Sequence, residues 1–161
     1  MTEARLRARI RFWTWFLIVG LVVSGLTALP LRQELELLVR LFDPRSALGI
    51  WLARVHAALA DVDARWPFLA LGTDWLAFGH LVIALGFVGL LRDPVRNAWL
   101  VTWGIWACVL VVPWAWGCGL LRGIPWGWRL VDASFGVGGL VPLLILRDAI
   151  RRLEAARPGR P

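Results

Sequence analysis

Four long apolar runs dominate the sequence and leave few folds open to it. They cover residues 12–29, 75–91, 98–121 and 130–146, and none has an ionised side chain in its middle. A helix needs about 20 mostly apolar residues to cross the hydrocarbon core of a bilayer, which is ~30 Å thick. Flanking tryptophans and arginines extend the shorter runs to the membrane surface. The pattern predicts an all-α integral membrane protein, a four-helix bundle in which residues 1–161 form a single membrane domain.

The composition supports this prediction and excludes other classes. Hydrophobic residues make up 59% of the chain and charged residues 18%, whereas soluble domains have about 45–50% and about 25%. A disordered chain and a secreted disulfide scaffold are therefore excluded. The first run follows a basic segment, as a secretory signal does. Because the run is longer than the ~7–15 apolar residues of such a signal, we expect an uncleaved span.

The positions of the arginines predict how the chain is oriented across the membrane. All 18 basic residues are Arg, and the net charge is +7. Eleven of them lie in the N-terminal tail, in the turn at 92–97 and in the segment from Arg147 onward. Since cytoplasmic segments carry an excess of positive charge, both termini and this turn are predicted to be cytoplasmic. Arginines at the ends of apolar runs also favour the lipid bilayer and its anionic headgroups as partners, and not nucleic acid.

Two segments between the first and second runs are predicted to be external amphipathic helices. Apolar residues recur at helical spacing in residues 31–42 and 44–65. Asp43 followed by Pro44 is typical of a helix start, with an N-cap and then proline at the first helical position. Both segments carry too many charges to span a membrane. We therefore expect them to lie at the outer interface or to cap the bundle.

Ionisable side chains near the outer ends of the spans are the candidates for chemistry, because such a group in a membrane helix is a functional-site hypothesis by default. The candidates for catalysis are His80 and Asp132, with Asp132 as the partner of His80. The candidates for ligand binding are Asp74, Arg122, Arg129 and Trp128, with Arg129 or Arg122 as the partner of Asp74. Structural alternatives stay open: Asp132 pairs with Arg129 at i, i+3, and Asp74 only caps its helix.

Tryptophans gather around the same outer turn. They are Trp114, Trp116, Trp126 and Trp128. Their expected role is the aromatic belt at the membrane surface. The alternative is a stacking site for an aromatic ligand.

The two histidines, His56 and His80, are weak candidates for metal binding. They are topologically able to ligate a haem iron from the outer side, but a salt bridge between His56 and Asp63 is the simpler interpretation. A structural zinc site needs about four ligands, so no metal and no cofactor is expected. Cys108 and Cys118 are ten residues apart on one predicted helix, about 15 Å, which is too far for a disulfide.

Small residues at helical spacing predict where the spans pack closely. Ser134 and Gly138 form such a pair on the fourth span, and Gly79, Gly86 and Gly89 leave grooves on the second. We expect these positions to pack within the chain. The alternative is dimerisation through one of the stripes.

Three strings carry a resemblance to a known family. They are GTDWLAFGH at 72–80, RDPVRN at 92–97 and RGIPWGWRLVDASFG at 122–136. Together they resemble an uncharacterised family of small bacterial inner-membrane proteins with four spans. The resemblance covers less than half of the chain. It implies a place in a bacterial inner membrane and implies no reaction.

These observations lead to two function hypotheses. The first is a small polytopic inner-membrane protein without enzymatic activity, either an accessory or assembly subunit of a larger membrane complex or a homo-oligomer. The alternative is a membrane-embedded enzyme, or a cofactor or lipid binder, with its site at the outer leaflet. In that case His80 acts as acid, base or ligand, Asp132 orients it, and Arg122 and Arg129 hold an anionic headgroup or substrate.

Overall fold

The computed structural model describes residues 2–156, and these residues are helical with no strand. The helices are α1 (Glu3–Thr27), α2 (Leu31–Leu41), α3 (Ala47–Arg65), α4 (Leu71–Arg92), α5 (Ala98–Leu121) and α6 (Trp126–Ala155). A short 3₁₀ helix, Pro67–Ala70, precedes α4. The prediction of an all-α chain is confirmed.

Four of the helices are long and apolar enough to cross a membrane: α1, α4 with its preceding 3₁₀ helix, α5 and α6. Their apolar side chains face outward. In α5 only 11% of the most apolar 18-residue stretch is buried, and Trp99, Trp106 and Leu110 are 62%, 61% and 60% exposed. Apolar faces of this extent are stable in hydrocarbon and not in water. The four helices therefore indicate a multi-pass membrane protein.

Two of these helices extend nine residues beyond the apolar runs that predicted them, and α4 begins four residues before its run. Helix α5 coincides with the run at 98–121, but α1 begins at Glu3 and α6 continues to Ala155. In the early part of α1, Leu6, Ile10 and Thr14 recur every fourth residue and are buried. This spacing gives the charged end of α1 one buried face, so the helix continues beyond its apolar run.

The residues divide into two compact units, and α1 and α4 each contribute to both. In the first unit, residues 2–19 and 84–156, helix α5 packs against α6. Glycines make this contact close. A Cβ on Gly139 would lie 2.7 Å from Cys108 Sγ, and one on Gly136 would collide with the Cys108 carbonyl oxygen and with Val111. The two backbones approach to a distance that only glycine permits at these positions.

The glycines that make contact differ in part from the predicted ones. Gly138 has no atom within 4 Å of the place where its Cβ would be, and the same holds for Gly79 and Gly86. The packing within the chain predicted for these three positions is therefore wrong. On α6 the contact falls instead on the neighbouring Gly136 and Gly139, because a helix turns about 100° per residue and a shift of one residue changes the face.

The turn between α4 and α5 is held by one amide side chain. Asn97 Nδ2 donates to the carbonyl oxygens of Gly89 and Asp93, at 3.0 and 2.9 Å. The Asp93 carboxylate in turn accepts from the backbone N–H of Arg96 at 3.1 Å. Each of these carbonyls also accepts a backbone N–H at 3.1 Å, from Asp93 and from Asn97 respectively, so the Asn97 amide adds a second hydrogen bond to each where α4 ends.

In the second unit, residues 20–83, α2 packs on α3 and α3 packs on the 3₁₀ helix. Leu35 of α2 and Leu52 of α3 are its fully buried leucines. Helix α3 begins at Ala47 and not at Pro44, because Ser46 Oγ is the acceptor for the N–H of Gly49 at 3.0 Å. Serine is a strong N-cap residue.

Asp43, which the sequence pattern places at this N-cap, has another role. Its carboxylate accepts from the backbone N–H of Arg45 at 2.9 Å, and its carbonyl accepts from Ser46 Oγ at 2.7 Å. These bonds form an Asx turn, which the short Asp side chain favours just before a helix. The predicted start of the second external segment is therefore three residues too early.

Candidate functional site

The turn between α5 and α6 gives this end of the first unit a fixed backbone. Ile124 N–H donates to Gly119 O at 2.9 Å, and Gly123 N–H donates to Leu120 O at 3.2 Å. Gly123 has φ +65°, in the left-handed region where glycine is favoured. These features define a Schellman motif, which ends α5 and reverses the chain. As a result, the first turn of α6 lies beside the last turns of α5.

Arg129, in the first turn of α6, lies along α5. A Cβ on Gly119 would be 2.5 Å from both Cγ and Cδ of Arg129, so the alkyl part of the side chain fills the space above this glycine. The guanidinium carbon lies 5.2 Å from the centroid of the Trp116 ring. This is within the range of a cation–π contact, worth about 0.5–2 kcal/mol. Gly119 and Trp116 together hold Arg129 in one place.

The charge of Arg129 is not neutralised within its unit. The ion pairs among residues 2–19 and 84–156 join Arg7 to Glu3 and Arg152 to Asp148. Asp132, three residues after Arg129, is not within ion-pair distance of it, so the alternative i, i+3 pair does not form. Arg129 Nε is buried and has no hydrogen-bond partner.

The N-terminus of α6 adds positive partial charge at the same place. Its N-cap residue is Pro125, which makes no side-chain hydrogen bond to the helix. The Pro125 carbonyl accepts from the N–H groups of Trp128 and Arg129, at 3.0 and 3.2 Å. A helix N-terminus attracts anions, and a guanidinium binds carboxylate or phosphate through paired hydrogen bonds. The arrangement can therefore bind an anion.

The other candidates on this turn lie close to Arg129 along the chain. Arg122 is the C-cap residue of α5 and is exposed, whereas Trp128 and Asp132 are half-buried on α6. Three of the four candidates for ligand binding, Arg122, Trp128 and Arg129, thus lie on or beside this turn.

The remaining candidates, His80 and Asp74, belong to the second unit. His80 Nδ1 lies 2.8 Å from the carbonyl oxygen of Leu76. A carbonyl only accepts, so Nδ1 is the donor in this contact. The backbone of this residue lies close to α1, since a Cβ on Gly25 would be 2.9 Å from His80 Cβ. The partnership of His80 with Asp132 stays a prediction.

Asp74 is exposed in the first turn of α4. Thr73 Oγ1 donates to Ala70 O at 2.7 Å, where the 3₁₀ helix passes into α4. Helix α4 begins at Leu71, before both Thr73 and Asp74, so neither is its N-cap. The partnership of Asp74 with Arg129 or Arg122 stays a prediction.

The predicted salt bridge between His56 and Asp63 does not form. Asp63 Oδ2 instead lies 3.8 Å from Arg32 Nη1 of α2, because α2 packs against this face of α3. His56 is half-buried on α3. Among residues 2–156, no three His, Cys, Asp or Glu side chains come together in a way that would hold a metal ion.

Sequence reasoning missed the contact between Trp116 and Arg129, although a signal for it was available. In a hairpin of two antiparallel helices, residues equally far from the middle of the turn lie at the same level. Trp116 and Arg129 are equally far from the turn at 122–123. The aromatic belt interpretation considered Trp116 only as a contact for lipid.

No protein-family model, no curated protein and no solved structure matches the chain.

Proposed function

We propose that the chain is a bacterial inner-membrane protein without enzymatic activity, an accessory or assembly subunit or a homo-oligomer, that binds an anionic phospholipid headgroup at the α5–α6 turn. Its four spans form a bundle, α2 and α3 lie outside the hydrocarbon core, and both termini are cytoplasmic. The arginine distribution supports this orientation, which places the α5–α6 turn at the outer leaflet.

The lipid-binding part of the proposal rests on the surroundings of Arg129. Its side chain is fixed by Gly119 and Trp116, it has no ion-pair partner within its unit, and it lies at a helix N-terminus. An unpaired charge that is partly withdrawn from water is costly unless a counter-ion is present. A phospholipid phosphate at the membrane surface supplies that counter-ion. The flat guanidinium donates two parallel hydrogen bonds to the phosphate oxygens.

The neighbouring tryptophans support a lipid as the source of the anion. Trp114 and Trp126 are 73% and 68% exposed on either side of the turn. Indole rings favour the level of the headgroups, where one edge is wet and the other is apolar. A phosphate bound by Arg129 would therefore have its glycerol and acyl chains along an aromatic surface.

Native mass spectrometry of the detergent-solubilised protein tests the proposal. The wild type is mixed with phosphatidylglycerol or phosphatidylcholine of the same acyl chains, and we expect more adduct with phosphatidylglycerol. Arg129→Ala should reduce this preference about tenfold, because Arg129 pairs with a phosphate charge that is uncompensated in phosphatidylglycerol but balanced by the ammonium group of phosphatidylcholine. Arg129→Lys should retain part of it, since the charge stays but the flat fork of donors is lost.

Arg54→Ala is the control for charge, since Arg54 is an exposed arginine on α3, in the second unit. It removes the same charge and should leave the preference for phosphatidylglycerol unchanged. Equal preferences in Arg129→Ala and Arg54→Ala would contradict the lipid site. The same spectra report the number of subunits and any bound protein. A monomer that retains no protein partner would contradict the subunit or oligomer part.

A further inference from the structure

A cavity of about 310 Å³ lies within the second unit, at the contact of α2, α3 and the 3₁₀ helix. Its apolar wall includes Leu29, Leu59, Val62 and Leu69. The volume is at the lower end of the ~300–1,000 Å³ typical of small-molecule sites. The cavity therefore accommodates a compact group with an apolar part.

The polar side of the cavity presents one positive and one negative charge. Arg32 and Asp63 both line it, and Arg32 Nη1 lies 3.8 Å from Asp63 Oδ2. A charged hydrogen bond is about 2.7–2.9 Å long, so this pair is held apart. Each charge keeps hydrogen-bonding capacity for another group.

This pair differs from the other ion pairs within residues 2–156. Those four pairs each join side chains one turn apart on a single helix. Arg32 and Asp63 join two helices, and the packing of α2 on α3 sets their separation. The side chains of Arg32 and Asp63 are 53% and 34% exposed. The pair is thus open to a ligand from outside.

We propose that this cavity binds the zwitterionic phosphoethanolamine headgroup of a phospholipid, with Arg32 contacting the phosphate and Asp63 the ammonium group. The two charges of the headgroup match the two separated charges of the cavity. Thr73 Oγ1 donates to Ala70 O, so the oxygen keeps lone pairs that accept from the ammonium N–H. The leucines and Val62 contact the glycerol and the first methylene groups of the acyl chains.

The proposal makes a chemical distinction between two common lipids. Phosphatidylcholine has the same phosphate but a quaternary ammonium group with no N–H, so it forms no hydrogen bond with Asp63 or Thr73. The cavity should therefore prefer phosphatidylethanolamine. Because this site lies in a different unit from Arg129, its binding should not depend on Arg129.

Native mass spectrometry of the full chain, with phosphatidylethanolamine and phosphatidylcholine of the same acyl chains, tests the preference. We expect about tenfold tighter binding of phosphatidylethanolamine by the wild type. Asp63→Asn should remove most of this preference, because the amide oxygen still accepts a hydrogen bond but the charge that pairs with the ammonium group is lost. Asp61→Asn is the matched control, because Asp61 lies two residues earlier on α3 and pairs with Arg65 of the same helix. Equal binding of the two lipids by the wild type, or a preference retained in Asp63→Asn, would overturn the proposal.

Two further measurements keep the result specific. Ala70→Leu fills part of the cavity and should weaken phosphatidylethanolamine binding while leaving phosphatidylglycerol binding at Arg129 intact. Loss of both lipids would indicate a disturbed fold. Arg32→Gln then decides, because it should weaken the binding of phosphatidylethanolamine alone.

Competition with soluble O-phosphoethanolamine tests whether the bound headgroup comes from a lipid or from a free small molecule. If O-phosphoethanolamine fills the cavity and phosphatidylethanolamine does not displace it, the cavity binds the free headgroup and the lipid assignment is overturned.

Discussion

The alkyl chain of Arg129 occupies the space that a side chain at Gly119 would fill, with Cγ and Cδ both 2.5 Å from the position of the absent Cβ. The obstacle to a larger residue at 119 is therefore a flexible side chain and not a backbone. A substitution there should move Arg129 and leave the helices in place. A substitution at Gly119 should therefore change the position of the Arg129 charge without changing the stability of the α5–α6 hairpin.

Gly119→Ala should accordingly lower the preference for phosphatidylglycerol with little change in the unfolding temperature. The new methyl group displaces Arg129 from Trp116, whereas alanine itself favours the helix over glycine by about 0.5–1 kcal/mol. Native mass spectrometry and thermal unfolding in detergent measure the two effects. Gly117→Ala on the same helix has open space around its Cβ, so it should gain the same helix propensity and leave the lipid preference unchanged. A fall in stability without a fall in lipid preference would contradict the prediction.

Gly136→Ala should destabilise the hairpin of α5 and α6. Its Cβ would collide with the Cys108 carbonyl oxygen and with Val111, and a backbone cannot move aside as a side chain can. Overpacking of this kind costs about 1–3 kcal/mol of unfolding free energy, which SDS unfolding of the protein in mixed micelles measures. The control is Gly138→Ala, which meets open space. Equal unfolding free energies for the two variants would show that the contact is looser than described.

Gly139→Ala should also destabilise the hairpin, but this defect should be reversible. The atom in the way is Cys108 Sγ, 2.7 Å from the new Cβ. Removing the sulfur with Cys108→Ala makes room for the methyl group, so the double variant should unfold at a higher temperature than Gly139→Ala alone. Cys108→Ala should not rescue Gly136→Ala, because the Cys108 carbonyl remains. Rescue of both variants would mean that α5 and α6 simply separate.

Asn97→Ala should lower the unfolding free energy by about 1–2 kcal/mol, because it removes two hydrogen bonds to carbonyls at the end of α4. The exposed neighbour Arg96 donates through its backbone, so Arg96→Ala keeps that bond and serves as the control. Thermal unfolding in detergent compares the two variants. An Asn97→Ala protein as stable as Arg96→Ala would show that water replaces the amide at no cost.

Cysteine labelling tests the orientation in the membrane. In a background with Cys108 and Cys118 replaced by alanine, Glu36→Cys on α2 and Ala156→Cys after α6 each place one thiol at an exposed position. A membrane-impermeant maleimide added to intact spheroplasts should label Glu36→Cys. It should reach Ala156→Cys only after the membrane is permeabilised. The opposite pattern would invert the proposed topology.

The helical content and the four spans were predictable because hydropathy depends on composition over a whole helix. The ends of α1 and α6 were not, since an apolar run stops at the first charged residue. In the charged end of α6, three side chains are almost completely buried: Leu146, Ile150 and Leu153. The sequence shows the helical spacing of these residues, but the mean hydropathy of a segment does not depend on spacing.

The candidate residues of the site could be predicted from the sequence, but their contacts in space could not. Arg129 was identified by its charge near a span end. Its contact with Trp116 depends on the Schellman turn, which sets the levels of α5 and α6. Likewise, Asp63 was noticed, but its partner Arg32 comes from another helix. Which glycine meets a neighbour depends on helix rotation, and one residue of difference separated the predicted Gly138 from Gly139.

The first unit joins the two ends of the chain, and this sets an order of events during synthesis. Leu6, Ile10 and Thr14 are synthesised before residues 84–156, yet they belong to the same compact unit as those residues. Until α6 is complete, the apolar stripe of α1 and its hydroxyl lack their final surroundings. The first unit is therefore complete only after α6, a helix of 30 residues, has been synthesised.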